Sequence, residues 1–333
     1  MILVTGGAGY IGSHCVMALL DRGQDVVIFD NLSTGHIETV KTLSKYGNIE
    51  FIQGDLRSKD DVQKVFKAYN IEAVIHFAAV ALVGESVVDP QKYYMNNVCG
   101  TLNLLEGMLN HDIRKIVFSS TAATYGEPEY SPIDEKHPQN PINPYGQSKL
   151  MVEKIMDDYS KAYGLNAVRL RYFNVVGADS QARIGEWHDI ETHLVPNILK
   201  STFNTGKTFE IFGNDYPTSD GTCVRDYVNV EDLVKAHLLA LEYLNKGGTT
   251  NYFNLGTKHG NTVQEVFSAC ENICNKSIPV KISSRRPGDP STLVADNSKA
   301  KDILKWSPDN TLNQSIDRAY IWEQKLQSLE TKC

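Results

Sequence analysis

The segment 144–149, PYGQSK, places a phenol and an ammonium group four residues apart. Residues i and i+4 lie on one face of a helix, so the side chains of Tyr145 and Lys149 are predicted to meet if this segment is helical. A cation beside a phenol favours the phenolate and lowers its pKa, which would make Tyr145 a usable general base near neutral pH. Taken alone, the pair is more typical of a solvated helix surface, so its meaning depends on the rest of the chain.

Hydroxyl side chains cluster upstream of this pair in the segment VFSSTAATYGE, where an apolar run ends. A hydroxyl from Ser120 or Thr121 at the carboxyl end of a parallel strand would face the crevice in which open α/β sheets bind ligands. Such a cluster after a strand is also typical of a turn. The sequence leaves both interpretations open.

The amino-terminal segment ILVTGGAGYIGSH joins an apolar run to a helical one through Gly6, Gly7, Gly9 and Gly12. It fits Gly-x-x-Gly-x-x-Gly from Gly6 and Gly-x-Gly-x-x-Gly from Gly7. Glycines at these positions permit a tight turn and bring the backbone close to a pyrophosphate, while the helix amino terminus supplies positive potential. The segment therefore predicts a dinucleotide site.

Asp30 ends the second apolar run, at the spacing from the glycines at which an acid binds the adenosine ribose 2′-hydroxyl. A carboxylate there would repel a 2′-phosphate, so NAD is favoured over NADP as the cofactor. A capping or turn role for Asp30 and Asn31 is the alternative interpretation.

Short apolar runs alternate with amphipathic segments through the first half of the chain, which predicts an α/β fold with a Rossmann-type, doubly wound parallel sheet. The predicted strands are 1–5, 25–30, 49–53, 73–77, 115–119 and 165–172. The predicted helices are 13–22, closed by Gly23, then 60–69, 93–109 and 145–163.

The pattern loosens after Ala178 into the polar stretch DSQARIGEWHDIETH, which has no clear period. We expect a domain boundary there, with an NAD-binding domain at 1–177 and a smaller α/β substrate domain at 178–333. Further helices are predicted at 230–244, 263–275 and 312–327, and Thr262 with Glu265 forms a capping box at the start of the second.

Charge and cysteine content narrow the class of protein. A net charge of −7 argues against a nucleic-acid-binding surface, because binding to the phosphate backbone needs clustered Lys and Arg. The six cysteines contain no Cys-x-x-Cys pair, so we expect free thiols and no metal. The sequence contains no signal-peptide pattern and no long apolar segment, so we expect a cytoplasmic protein that does not contact membranes.

A glycine-rich turn, strand-end hydroxyls and Tyr-x-x-x-Lys, in this order, resemble the extended short-chain dehydrogenase/reductase family. The resemblance covers nearly the whole chain and narrows to the nucleotide-sugar epimerases of that family. The segments that narrow it are HFAA (76–79), ESVVDPQKYYMNN (85–97), LRYFNVVGA (170–178), FGNDYPTSDGTCVRDYVNVEDL (212–233) and RRPGDPSTLVAD (285–296).

The resemblance implies roles for individual residues. Tyr145 would take the proton of the sugar 4-hydroxyl, Lys149 would hold the nicotinamide ribose and tune Tyr145, and Thr121 would bind the 4-oxygen. The implied NAD site comprises Gly6, Gly9, Tyr10, Ile11, Gly12, Asp30, Asn31, Ser33, Thr34, Gly35, Asp55, Leu56, Phe77, Ala78, Ala79, Asn96, Thr121, Tyr145, Lys149 and Phe173. The implied UDP-sugar site comprises Thr121, Tyr145, Asn174, His193, Leu194, Phe212, Arg225, Arg286, Asp289 and Leu293.

The implied activity is inversion at C4 of a UDP-hexose, interconverting UDP-galactose and UDP-glucose through a transient 4-keto sugar with tightly bound NAD. Related dehydratases carry Thr-Asp-Glu where this chain has Thr121, Ala122 and Ala123, and related decarboxylases carry a Glu at the position of Ala123. Neither elimination nor decarboxylation therefore has its carboxylate. A non-catalytic NAD sensor is disfavoured because Tyr145 and Lys149 are both present. UDP-N-acetylglucosamine remains an alternative substrate, because Leu293 is smaller than the tyrosine of some relatives.

The resemblance also implies a homodimer. The predicted helices 93–109 and 145–163 carry wide apolar faces that could form a bundle between two copies. The residues alone allow equally that these faces simply cover the sheet. For Arg225 and Arg286, surface ion pairs with Asp226 and Asp289 are the alternative to diphosphate binding.

Overall fold

The computed structural model describes residues 1–203, 208–286 and 289–330. Its strands in chain order are β1 (Ile2–Thr5), β2 (Val26–Asp30), β3 (Ile49–Gln53), β4 (Ala73–His76), β5 (Lys115–Thr121), β6 (Asn166–Tyr172), β7 (Asn174–Val176), β8 (Phe209–Phe212), β9 (Val224–Asn229), β10 (Asn251–Leu255), β11 (Gly260–Thr262), β12 (Val280–Ser283) and β13 (Thr292–Leu293).

The helices follow the same order. They are α1 (Tyr10–Leu20), α2 (Ile37–Leu43), α3 (Lys59–Ala68), α4 (Val83–Val88), α5 (Pro90–Tyr93), α6 (Gly100–Asn110), α7 (Pro144–Tyr163), α8 (Leu194–Ser201), α9 (Val230–Asn245), α10 (Val263–Cys274) and α11 (Leu312–Glu330). A π-helical segment, Tyr94–Cys99, joins α5 to α6, so the predicted helix 93–109 lies within a longer helical run.

The central sheet has seven parallel strands in the order β3-β2-β1-β4-β5-β6-β10. Helices cover both faces, which explains why β1 and β2 are apolar and buried along their whole length. The chain reverses its direction across the sheet between β1 and β4, so the carboxyl ends of these two strands border a crevice. Open α/β sheets bind their ligands at such a point. The predicted Rossmann-type α/β fold is confirmed.

Two smaller sheets lie in the carboxyl-terminal part of the described chain. One joins β11, β9 and β13, with β7 also paired to β9, and the other pairs β12 with β8. Helices α8, α10 and α11 pack around a separate apolar cluster that includes Ile198, Leu199, Phe267 and Ile316.

The predicted boundary at 177/178 stays a prediction. Elements from the second half of the sequence nevertheless pack into the first half's sheet. Strand β10 pairs with β6 in the central sheet, and α9 packs against α1, β5 and β6. Part of the second half of the sequence thus completes the nucleotide-binding sheet. The other predicted elements begin and end within three residues of the observed ones, and the capping box of Thr262 and Glu265 is present.

Helix α7 begins where the sequence indicates. Asn143 is its N-cap and accepts a hydrogen bond from the Gly146 backbone at 2.8 Å, while Pro144 occupies the first turn. The helix ends at Gly164, which has a left-handed backbone with φ of 69°. A defined start places Tyr145 in the first turn and Lys149 in the second, on the side that packs on β5.

None of the helices in the described residues is long and apolar enough to cross a membrane.

Candidate active site

A cleft of about 850 Å³ opens at the carboxyl ends of the central strands and extends to β8, β9 and β13. Every residue predicted for the cofactor or the substrate lines it, with the exception of Gly35. Gly35 instead lies behind the glycine-rich turn, where an added Cβ would approach Ala8 to 2.8 Å. The structure therefore brings the remaining candidate residues to one continuous surface.

The glycine-rich turn fits the pyrophosphate of a dinucleotide. A Cβ on Gly12 would lie 2.0 Å from the carbonyl oxygen of Gly6, so the turn between β1 and α1 closes only without side chains. At Gly9 an added Cβ would meet no protein atom closer than 3.5 Å, yet Gly9 lines the cleft. The space in front of Gly9 is left for a ligand, beside the positive amino terminus of α1.

Asp30 both shapes the turn and lines the cleft. Its two carboxylate oxygens accept hydrogen bonds from the backbone of Ala8, at 3.0 Å, and of Leu32, at 2.8 Å. Asp30 therefore does stabilise the turn, as the alternative interpretation of the sequence expected. Each oxygen retains a second lone pair, so the carboxylate can still accept a hydrogen bond from a ribose hydroxyl. Burial raises its pKa, while the two backbone hydrogen bonds oppose that shift.

Beyond Asp30, Asn31 is held in the cleft by Asp55. Its side-chain amide donates to Asp55 Oδ2 at 3.0 Å. Hydrogen bonds from Arg57 hold the pKa of Asp55 well below its usual value, so Asp55 stays charged as an acceptor. The two side chains form a polar wall beside the place where an adenosine ribose would lie next to Asp30.

Thr121 and Tyr145 form the polar pair at the inner end of the cleft. Burial raises the pKa of the Tyr145 phenol, and a hydrogen bond with Thr121 partly opposes that rise. The shift is opposite in direction to the lowering expected from Lys149. The structure also separates the two hydroxyl candidates, because Ser120 is fully buried and donates to Glu153 on the other side of β5.

Lys149 is almost fully buried and points to β5 instead of the phenol. Its Nζ donates to the backbone carbonyl of Ser119 at 2.8 Å and lies 4.7 Å from the centre of the Phe118 ring. Burial lowers the pKa of Lys149 to about 7, although the charge of Glu153 favours the ammonium form. The expected pairing of the two heads is therefore not made in the structure, although both residues line the cleft.

The substrate end of the cleft carries two arginines. Arg225 is paired with the carboxylate of Asp289 and donates to the carbonyl of Val224 at 2.8 Å. Arg286 is exposed and stacks over the Phe212 ring, with 4.1 Å between its guanidinium carbon and the ring centre. Asp226 instead binds Thr257 and the Ala295 backbone, so the ion pair with Asp226 considered for Arg225 does not form.

Sequence reasoning missed several residues that line the same cleft. Tyr172 donates to Ser119 Oγ at 3.1 Å, and Asn143 caps α7. An Asn directly before Pro at a helix start is a capping signal that identifies Asn143.

Glu186 and His188, which sequence reasoning also missed, lie beside His193, the N-cap of α8. Their signal is the spacing Glu-x-His-x-x-Glu-x-His within the polar stretch that follows Ala178.

The parallel sheet, the glycine-rich turn and the Thr, Tyr and Lys side chains in one cleft define an extended short-chain dehydrogenase/reductase. The family model for GDP-mannose 4,6-dehydratase matches residues 3–319. The UDP-glucose 4-epimerase of Lacticaseibacillus casei is 50% identical over 97% of this chain and 96% of its own.

Two solved structures extend the comparison. The UDP-glucose 4-epimerase of Bifidobacterium longum in complex with NAD+ and UDP has a TM-score of 0.93 and 39% identity, covering 97% of this chain and 98% of that one. The UDP-Glc/GlcNAc 4-epimerase of Campylobacter jejuni has a TM-score of 0.86 and 40% identity, covering 97% and 99%. The chain belongs to this family of nucleotide-sugar-modifying short-chain dehydrogenases/reductases, and within it to the UDP-glucose 4-epimerases.

Proposed function

We propose that this protein is an isomerase that interconverts UDP-galactose and UDP-glucose by inverting the configuration at C4, with NAD as its bound cofactor. The observation that carries the proposal is the placement of Thr121, Tyr145 and Lys149 at the inner end of the cleft that also holds the glycine-rich turn and the arginines. The relatives named UDP-glucose 4-epimerase, and the neighbour solved with NAD+ and UDP, support the choice of substrate and cofactor.

Tyr145 is the group proposed to move the proton. Its phenolate would accept the proton of the sugar 4-hydroxyl, and its phenol would return a proton to the inverted alcohol. Thr121 would hold the 4-oxygen, since its side chain lies next to the Tyr145 phenol and lines the same cleft. NAD, when bound, would take up and give back the hydride at C4 of the sugar.

Lys149 would hold the nicotinamide ribose and supply positive charge near the phenol. Burial opposes both the phenolate and the ammonium, so each charged form depends on the other and on the cofactor. Proton transfer would therefore be favoured only when the cleft is filled. We accordingly propose that the measured pKa of Tyr145 falls when NAD binds.

The chain is not equipped for elimination, despite the name of its family model. A 4,6-dehydratase needs an acid and a base beside its 4-keto sugar, and the positions after Thr121 hold Ala122 and Ala123. Alanine transfers no proton, so the keto sugar would be returned to an alcohol instead of losing water.

Anchoring at the diphosphate would leave the sugar free to turn. The guanidinium groups of Arg225 and Arg286 are suited to phosphate oxygens, which accept two parallel hydrogen bonds. Asp289, now paired with Arg225, would release part of that guanidinium when a diphosphate arrives. Turning of the 4-keto sugar would then expose its opposite face to hydride return.

The test of this function is Tyr145→Phe. We expect UDP-galactose turnover to fall by about 10²–10⁴-fold, because the base is removed, while bound NAD is retained. Tyr163→Phe, an exposed phenol on the same helix, is the matched control and should keep the wild-type rate. Full turnover by the Tyr145→Phe variant would exclude Tyr145 as the base, and a wild-type protein that makes no UDP-glucose would exclude the epimerase function.

UDP-N-acetylglucosamine is a second candidate substrate. Leu293 lines the cleft as a half-buried side chain that packs near Ala122, Tyr125 and Ile133. Its modest size leaves room for a substituent at C2 of the sugar. The Campylobacter jejuni neighbour, named for both the Glc and the GlcNAc substrates, makes this alternative worth testing.

A homodimer that works in the cytoplasm is proposed as the functional form. Met151, Ile155 and Tyr159 are only partly buried on α7, and Leu102 is partly buried on α6, so the two helices offer an apolar face to a second copy. The five described cysteines are free thiols, as is usual in a reducing compartment. A monomer mass in sedimentation equilibrium would contradict the dimer.

A further inference from the structure

We propose that Glu186, His188, Glu191 and His193 form a binding site for one divalent transition-metal ion, with Zn²⁺ as the best-matched species. The four side chains come from a single eight-residue segment that leads into α8. One ligand atom from each lies within 4.8 Å of the ligand atoms of the other three.

Three of the four imidazole–carboxylate contacts in the cluster have the spacing of ligands around one ion, and the fourth, 2.7 Å between His193 Nδ1 and Glu186 Oε1, is shorter. His188 Nδ1 lies 3.4 Å from Glu186 Oε1 and 3.4 Å from Glu191 Oε2, while His193 Nδ1 lies 3.2 Å from Glu191 Oε1. Metal bonds of about 2.0–2.1 Å in a tetrahedron place neighbouring ligand atoms about 3.3 Å apart. Charge-assisted hydrogen bonds are shorter, about 2.7–2.9 Å.

A buried carboxylate oxygen aimed into the cluster supplies an independent observation. The Glu186 side chain is only 7% exposed, and its Oε1 has no hydrogen-bond partner among the residues that the structure describes. His193 Nδ1 is 2.7 Å from this oxygen but does not satisfy it with hydrogen-bond geometry. Its charged neighbours, His188 Nδ1 and His193 Nδ1, compensate the carboxylate only when the imidazoles are protonated, and a cation at the centre of the cluster would do so with both imidazoles neutral.

The donor set selects the kind of metal. Two imidazole nitrogens with two carboxylates suit Zn²⁺ and its neighbours in the first transition row, whereas Mg²⁺ and Ca²⁺ prefer oxygen ligands alone. Glu191 is 5% exposed at its side chain and His193 is 54% exposed. The site is thus closed on one side and open towards the cleft on the other.

The segment connects the two ends of the cleft. Trp187 stacks on His36, with ring centres 3.9 Å apart, and His188 meets the Tyr10 ring edge-on at 6.4 Å. On the other side, His193 and Leu194 begin α8 and line the cleft. A bound ion would therefore fix α8 relative to the start of α1. If the proposed function is correct, loss of the ion should raise the KM for the UDP-sugar more than it lowers kcat.

The test measures metal directly and uses no substrate. Untagged protein, stripped with a chelator, is titrated with Zn²⁺ against a competing chromophoric chelator and separately with Co²⁺. We expect one equivalent to bind per chain, with the visible d–d absorption of tetrahedral Co²⁺. Glu191→Gln and His188→Asn should each weaken binding by at least 10-fold, whereas His259→Asn, an exposed histidine elsewhere, should not.

Two results would overturn the proposal. Absence of stoichiometric binding to the wild-type protein would leave the cluster as two imidazolium–carboxylate ion pairs. Equal binding by the two ligand variants and the wild type would place the metal elsewhere. Circular dichroism confirms that each variant is folded, and the Tm of the stripped wild type with and without Zn²⁺ gives a readout that needs no variant. These outcomes do not depend on whether the protein has epimerase activity.

Discussion

Lys149, which we propose holds the nicotinamide ribose, is buried at the expense of stability. Its ammonium lies in the core with 3% of the residue exposed, and burial brings its pKa down from 10.5 to about 7. Below pH 7 the folded protein holds a buried charge that the unfolded chain leaves in water. Above pH 7 the folded lysine loses its proton first, so its contribution to instability declines and vanishes near pH 10.5.

We therefore predict that Lys149→Met stabilises the NAD-free protein by on the order of 2–4 kcal/mol at pH 6, since each pKa unit corresponds to about 1.4 kcal/mol. The gain should shrink steadily between pH 7 and pH 10. Urea unfolding at several pH values measures it.

Lys161→Met provides the control for this prediction, because Lys161 lies on the same helix with a side chain that is 78% exposed. It should change the free energy of unfolding little at any pH. A Lys149→Met gain that is independent of pH, or a loss of stability at pH 6, would contradict the account of a buried ammonium.

The size of the Leu293 side chain is expected to affect which UDP-sugar is accepted. Leu293→Tyr should lower turnover of UDP-N-acetylglucosamine by roughly 10–100-fold more than turnover of UDP-galactose, because the larger ring would fill the space beside the C2 substituent. Steady-state kinetics with both substrates measures the ratio. Leu293→Met, which conserves volume, should leave the ratio unchanged, and equal losses on both substrates in the Tyr variant would refute the idea.

Among the elements, the start of α7 controls where Tyr145 and Lys149, the proposed catalytic residues, lie. Asn143 accepts a hydrogen bond from the Gly146 backbone, within one turn of Tyr145. We predict that Asn143→Ala lowers the free energy of unfolding by about 1 kcal/mol and reduces kcat, because the first turn would fray. Urea unfolding and the epimerase rate measure the two effects.

Asn143→Asp is the matched variant for the cap. Aspartate accepts the same backbone hydrogen bond, so it should retain the stability that alanine loses. If the aspartate and alanine variants lose equal stability, the cap is not what holds the first turn.

The elements that the sequence predicts well are those specified by local chemistry. Strand β2 is five consecutive buried residues, α10 opens with its capping box, and the turn at Gly6 admits no side chain at Gly12. The position of Lys149 was less predictable. Its i to i+4 spacing from Tyr145 is correct, but its ammonium donates a hydrogen bond to the carbonyl of Ser119 on the neighbouring strand. Spacing along a helix does not reveal what a strand presents to it.

At the scale of the whole molecule, long-range pairing decides what the sequence could not. The segment 251–255 is short and mixed in polarity, so its pattern does not predict a strand. It becomes strand β10 by pairing in parallel with β6. The His and Glu cluster likewise depends on how residues 186–193 fold back beside Tyr10. Both features bring residues from after position 177 into contact with elements from before it.

Helix α9 covers one face of the nucleotide-binding sheet although it comes from the second half of the chain. Its Leu233, Leu238, Leu241 and Leu244 are each at most 7% exposed, and they belong to the apolar cluster that contains Val117 and Val168. Burial of four such leucines contributes about 6–12 kcal/mol. That amount is comparable with the entire stability of a typical domain, about 5–15 kcal/mol.

We therefore predict that a fragment comprising residues 1–178 does not fold cooperatively, even though it contains the glycine-rich turn and the proposed catalytic residues. It should bind the dye ANS, show no sharp thermal transition by circular dichroism and retain no NAD. Its apolar sheet face and the unpaired edge of β6 would be left open to water. Co-expression with residues 179–333 should restore the transition, because α9 and β10 return to their places. A fragment that melts sharply alone and binds NAD would show that the first half is an autonomous domain after all.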